Sequence, residues 1–133
     1  MNSELYWLTL SVLMTALFWV PYILDRIMVR GLIPAITGRL PETTDDQSVW
    51  AQRAISAHKN AIENIAIFAP AVLALHVLGA STPTTQLAAA AYFFARLIHF
   101  LVYTFGIPVV RTLAFAASWV AQVVILGTVL AAL

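Results

Sequence analysis

The sequence predicts an all-α integral membrane protein, folded as a four-transmembrane-helix bundle. Three observations carry that prediction. Of 133 residues, 62% are hydrophobic and 10% charged, with seven Lys or Arg against six Asp or Glu. An average soluble domain holds roughly 25% charged residues, so this chain cannot supply a polar skin. A mean hydropathy of +0.89 points the same way. Finally, charge-free stretches recur, each near the ~20 apolar residues that cross a hydrocarbon core as a helix. This composition excludes a disordered chain, a disulfide scaffold and an ordinary soluble enzyme. There is no Cys, which removes thiolate metal sites, redox pairs and a thiol nucleophile within the protein, and no metal is expected. The net charge of +1 gives nucleic acid no electrostatic support as a partner.

The first span lies between Glu4 and Asp25, about residues 5–24, with 20 residues free of charge. Its N-terminal flank lacks the basic region of a cleaved signal, so it reads as a retained helix. Pro21 near its end predicts a kink or an eased exit. Between Glu63 and Arg96 lie 32 residues without charge, cut by the turn-forming run Gly79 to Thr85. The second span is therefore about 57–78 and the third about 86–105. Gly106-Ile107-Pro108 is the next break, and the 22 uncharged residues 112–133 form the fourth span. Residues 26–56 are the one long polar connection, and residues 1–133 form a single membrane domain.

Orientation follows from the basic residues. The first connection and its flanks hold Arg26, Arg30, Arg39, Arg53 and Lys59, and Arg111 flanks the third connection. The second connection and both termini hold none. By the positive-inside rule the first and third connections face the cytoplasm, with both termini opposite.

Ionisable groups at membrane depth are costly and are functional candidates by default. At 100° per residue, Tyr92, Arg96, His99 and Tyr103 form one stripe on the third span. Arg53, Ser56, Asn60, Glu63 and Asn64 share roughly a third of the second helix's circumference, with His58 pointing away. Arg111, Phe115, Ser118 and Gln122 form a stripe on the fourth. Lipid satisfies none of these groups, so they should face one another or a partner subunit. A register-setting ion pair between Arg96 and Glu63 is the bland alternative. The number of further polar groups on the same faces favours a polar cavity. Arg26, Arg30 and Arg39 taken singly suit positive-inside markers or lipid head groups.

The chemistry of such a cavity is specific. Guanidinium forks with a Lys or Asn suit carboxylates, and Glu63 suits an ammonium group. Arg111 stands at the N-terminal end of the fourth span with Thr112 beside it, where free N–H groups and the helix dipole favour an anion. A thiolate is one such anion, and the thiol would have to arrive as a cosubstrate.

Two segments carry a family resemblance. Arg53-Ala-Ile-Ser-Ala-His58-Lys59-Asn60-Ala-Ile-Glu63-Asn64 resembles the second-span signature of the MAPEG family, the membrane-associated proteins in eicosanoid and glutathione metabolism. Arg96, His99, Tyr103, Gly106, Pro108, Arg111 and Thr112, at their spacing, resemble its signature across the third and fourth spans. The resemblance implies a homotrimer that binds glutathione between neighbouring subunits in the cytoplasmic half. It implies that Asn60 and Glu63 hold the glutathione backbone, with Lys59 where the family often has Arg. His99 and Tyr103 would line the same cleft. Arg111 would activate the thiol, helped by Thr112. An Arg ending the first span is also expected to touch glutathione, and both Arg26 and Arg30 qualify. Phe115 stands where several members place Tyr, and Ser56 where some place Arg. The function so implied is a membrane-bound glutathione-dependent transferase or peroxidase acting on lipophilic electrophiles that enter from the lipids. The competing readings are a noncatalytic membrane scaffold that retains the fold, a small proton-coupled exporter using Glu63, and a haem-binding bundle using His58 and His99.

Overall fold

The first charge-free stretch folds as two helices in line, α1 (Ser3–Leu17) and α2 (Trp19–Arg30). The computed structural model describes residues 2–38 and 46–133, and Arg39 of the charge bias lies outside them. The break at Phe18 comes three residues before Pro21. Pro21 has no N–H for the Leu17 carbonyl four residues back, and its ring crowds that carbonyl. The chain tightens here, and the Phe18 N–H donates to the Thr15 carbonyl at 3.3 Å, a 3₁₀-type bond. Phe18 turns inward and stacks on Phe100, with centroids 3.9 Å apart. Together Ser3–Arg30 is long and apolar enough to cross a membrane. Gly31, at φ +83°, then turns the chain into a short helix, α3 (Leu32–Thr37).

The second spanning helix is α4 (Val49–Val77), 29 residues with Pro70 inside. It begins well before residue 57, so the last part of the polar connection is helical. The reason is a clasp from the first span. Buried Asp25 accepts hydrogen bonds from the Ser48 N–H at 3.0 Å and from the Ser48 hydroxyl, placing a carboxylate at the start of α4. Gln47 donates to the Tyr22 carbonyl at 3.0 Å and accepts from Arg26 Nε at 3.2 Å. Arg30 makes a two-pronged pair with Asp46, at 2.7 and 2.8 Å. Those Arg30 hydrogen bonds hold the Asp46 carboxyl below its ordinary range. Further along, His58 Nδ1 and the Tyr22 hydroxyl lie 2.7 Å apart, another bond between α2 and α4.

The third spanning helix, α5 (Pro83–Thr104), starts with a capping box between Thr82 and Thr85 and a Pro in its first turn. Glu4 reinforces it, accepting from the hydroxyls of Ser81 and Thr85, each at 2.6 Å. The fourth, α6 (Pro108–Ala132), follows a turn in which Gly106 sits at φ +77°. There the Arg53 guanidinium lies where a Cβ on residue 106 would stand, 2.6 Å from that position. A side chain at 106 would be strained by its backbone and would also displace Arg53.

Among the described residues, α4 and α5 are the central pair. Helices α1 and α6 each pack on both and do not touch one another. The basic residues Arg26, Arg30, Arg53 and Arg111 define one end of the bundle, here the basic end. Two apolar clusters fill the interior. Phe18, Ala54, Ala57, Ala61 and Phe100 pack the first span against α4 and α5 toward the basic end. A larger cluster, including Phe68, Val72, Leu75, Ala89, Tyr92 and Ile125, fills the opposite end. The many Ala let helix backbones approach closely, which is how membrane helices gain packing energy without a hydrophobic drive. The layer between the clusters is polar.

Candidate functional site

Three helices send their polar stripes into that middle layer. Arg96 of α5 is its hub, 2% exposed. Its Nη2 donates to Asn60 Oδ1 of α4, and its Nη1 to the Ser118 hydroxyl of α6 at 3.3 Å. Nη2 also lies 3.4 Å from His99 Nδ1, one turn along its own helix. An arginine only donates, so His99 Nδ1 accepts and the ring proton sits on Nε2. Gln122 of α6 donates to the Asn64 side-chain oxygen at 3.1 Å, and Asn64 donates to the Asn60 carbonyl at 2.8 Å. Burying an ion costs several kcal/mol unless its hydrogen-bonding capacity is used. Here neutral acceptors take up the guanidinium, except at Nε, which has no partner.

The Arg96–Glu63 ion pair weighed above does not form. Among the described residues the one ion pair is Arg30–Asp46. Asn60, one turn before Glu63, takes the inward position. Asn60 Oδ1 accepts from both Arg96 and Asn64, the latter at 3.3 Å. That fixes the amide orientation and leaves the Asn60 NH₂ as a donor without a partner among the described residues.

Toward the basic end the layer continues through aromatic contacts. The His99 ring lies 5.5 Å from Tyr103 and 6.5 Å from Phe115. The Arg111 guanidinium carbon sits 4.5 Å above the Tyr103 ring centre, a cation–π contact. Thus Asn60, His99, Tyr103 and Arg111 form one run across α4, α5 and α6, with Arg96 linking its inner members.

Other sequence-predicted residues stand apart from that run. Lys59 and Glu63 flank Asn60 on α4 but are exposed, and neither hydrogen-bonds through its side chain to any of the described residues. Thr112 is exposed, and its hydroxyl donates back to the Pro108 carbonyl at 3.2 Å. Arg26 and Arg30 are engaged with Gln47 and Asp46 in the clasp on α4. His58 is bonded to Tyr22 and His99 to Arg96, so the two do not face each other as haem ligands would. Sequence reasoning missed the clasp of Asp25, Gln47 and Ser48, which joins residues more than twenty apart and follows no helical period. It also left Arg96 outside the binding set, although an Arg at membrane depth is itself the signal.

A family model, that of the MAPEG family, matches residues 5–131. The chain belongs to the MAPEG family. Neither a curated protein nor a solved structure matches it. MAPEG membership accounts for the four apolar helices, each long enough to cross a membrane. It puts the chain among multi-pass membrane proteins of glutathione and eicosanoid metabolism. For a MAPEG protein the polar layer has a clear chemical character. It offers donors, namely the Asn60 NH₂ and the Arg111 guanidinium, rather than acceptors. A ligand that presents anionic or carbonyl oxygens, or an anionic sulfur, complements it.

Proposed function

We propose that this MAPEG protein is a glutathione-dependent transferase or peroxidase for lipophilic electrophiles, assembled as a homotrimer with the thiol bound between copies. The observation that carries the reading is an exposed Glu63 with no partner among the described residues, on a bundle whose polar layer also holds Arg111. Glu63 lies less than two turns into the span expected to begin at residue 57, and it faces outward. Hydrocarbon cannot satisfy a carboxylate at that depth, so a ligand or a second copy must. Glutathione brings an ammonium group for Glu63, carboxylates for Lys59 and for Arg26 or Arg30, and a peptide carbonyl for the Asn60 NH₂. Arg26 suits the role better than Arg30. Only its Nε is bound to Gln47, whereas Arg30 spends its fork on Asp46.

In this reading Arg111, at the start of α6, faces the sulfur. Its charge and the helix dipole favour the thiolate, which releases its proton to water. The thiolate attacks the electrophilic carbon of an acceptor, forming a C–S bond as the leaving group departs with the bond electrons. With a hydroperoxide, two glutathione thiols are oxidised to one disulfide, and the peroxide is reduced to an alcohol and water. Tyr103 holds the guanidinium in place, and His99 presents Nε2–H as a further donor. The positive-inside bias supports a cytoplasmic basic end, where glutathione is available.

The test is thiolate ultraviolet absorbance when glutathione is added to purified protein in detergent, together with conjugation of an activated aryl halide. Both signals are expected, and both are expected to fall in Arg111→Ala. A noncatalytic scaffold would give neither signal. A proton-coupled exporter would instead lose proton-driven efflux in Glu63→Gln without ever showing conjugation.

A further inference from the structure

The segment from the end of α2 through α3 has no role in the polar layer, yet it is conspicuously apolar. Met28 is 85% exposed, and Leu32, Ile33 and Ile36 are 55%, 56% and 65% exposed. On α3 the last three fall at i, i+1 and i+4, on one side of the helix. Pro34 and Ala35 are the half-buried residues of its other side. Among the described elements α3 packs against α2 alone. Gly31 and Gly38, both at positive φ, bracket it, and Gly31 lets the chain turn sharply from α2 into α3. Water is a poor environment for such a patch, and the described residues leave it uncovered.

We propose that α3 is a membrane-dipping elbow, with Leu32, Ile33 and Ile36 seated in the lipid leaflet at the basic end. Continuity argues for lipid. The outward residues Leu24 and Met28 of the first membrane span lead directly into the patch across Gly31. A second copy of the chain is the weaker candidate. The exposed polar groups that demand a partner, Glu63 and Lys59, lie on α4, whereas the outward residues of the elbow are aliphatic. A helix of this kind rests at the head-group boundary, its apolar side roughly 5–10 Å deep. Because Asp25, Arg26 and Arg30 fasten α2 to the start of α4, the elbow also fixes how far the basic end rises above the lipid. The inference stands independently of glutathione chemistry.

The chain has no Cys, so single-site spin labelling is clean. Ile33→Cys and Ile36→Cys, labelled with a nitroxide, are reconstituted into phosphatidylcholine–phosphatidylglycerol vesicles. Collision with molecular oxygen and with a water-soluble nickel chelate is then compared. Greater access to oxygen than to nickel at both sites is the expected result. The reverse order would put α3 in water and overturn the proposal. Exclusion of both reagents, with spin–spin broadening that disappears on dilution with unlabelled protein, would seat α3 between copies and also overturn it. Leu13→Cys, at an outward apolar position within α1 of the first span, verifies the oxygen signal in the same vesicles.

Discussion

Replacing Arg111 by Ala tests the proposed chemistry most directly, and its size can be worked out. A thiolate in contact with the guanidinium sits about 4 Å from its charge. At an effective dielectric constant near 20 that attraction is about 4 kcal/mol. One pKa unit corresponds to about 1.4 kcal/mol, so the bound thiol falls by about 3 units, from an ordinary value near 8.5 to near 5.5. At pH 7 the bound thiol is then almost wholly ionised in the parent and about 3% ionised in Arg111→Ala. Ionisation alone costs about 30-fold in rate, and loss of the positioned donor raises the deficit to about 10²-fold. The assay is a pH–rate profile of conjugation, with thiolate absorbance followed in parallel. The parent profile should be flat above about pH 6. The variant's should climb until about pH 8.5, so its deficit shrinks as pH rises. Arg111→Lys keeps a charge but loses the planar fork over Tyr103, and should fall between the two. A variant with the parent's pH profile, or one whose deficit is the same at every pH, would refute the electrostatic role.

Three further outcomes are expected. Glu63→Gln should weaken glutathione binding by about 10- to 150-fold, the worth of one charge-assisted hydrogen bond, read by calorimetry in detergent. Equal affinity would separate Glu63 from the ligand. Gly106→Ala should destabilise the turn by about 1–2 kcal/mol through its left-handed backbone. Adding Arg53→Ala should recover only the part due to displacing that side chain, as thermal melts would show. Asp46 gives a pH signature. Its carboxyl is held low by Arg30, so the pair's contribution is complete above about pH 4 and is lost as pH falls through the depressed folded value. Asp46→Asn should therefore melt slightly below the parent at neutral pH, and the two should converge in acid.

The sequence held enough to place the spans, because runs of some twenty uncharged residues have few other uses. It also held the rotation of three helices. Asn60, Arg96, His99, Ser118 and Gln122 share stripes at helical spacing, and those stripes meet inside the bundle. What it did not hold was the choice between polar neighbours on one arc. Asn60 and Glu63 are a single turn apart, and only the packing of Ala57 and Ala61 against α1 and α5 decides which of them turns inward. The clasp at the basic end was illegible for another reason. Asp25 meets Ser48 through a connection whose path no period predicts. Likewise, Pro21 announced a kink, but its position at Phe18 followed from the carbonyl four residues upstream.

The greasy plug on the far side of the polar tier has an electrical consequence. A continuous file of hydrophilic side chains through a bundle would conduct protons or small ions and drain the gradients a membrane maintains. Here the tier runs on toward Arg111 at the basic end, while Phe68, Val72 and Ile125 stopper its other side. The protein can therefore carry a charged arginine at its centre and still insulate.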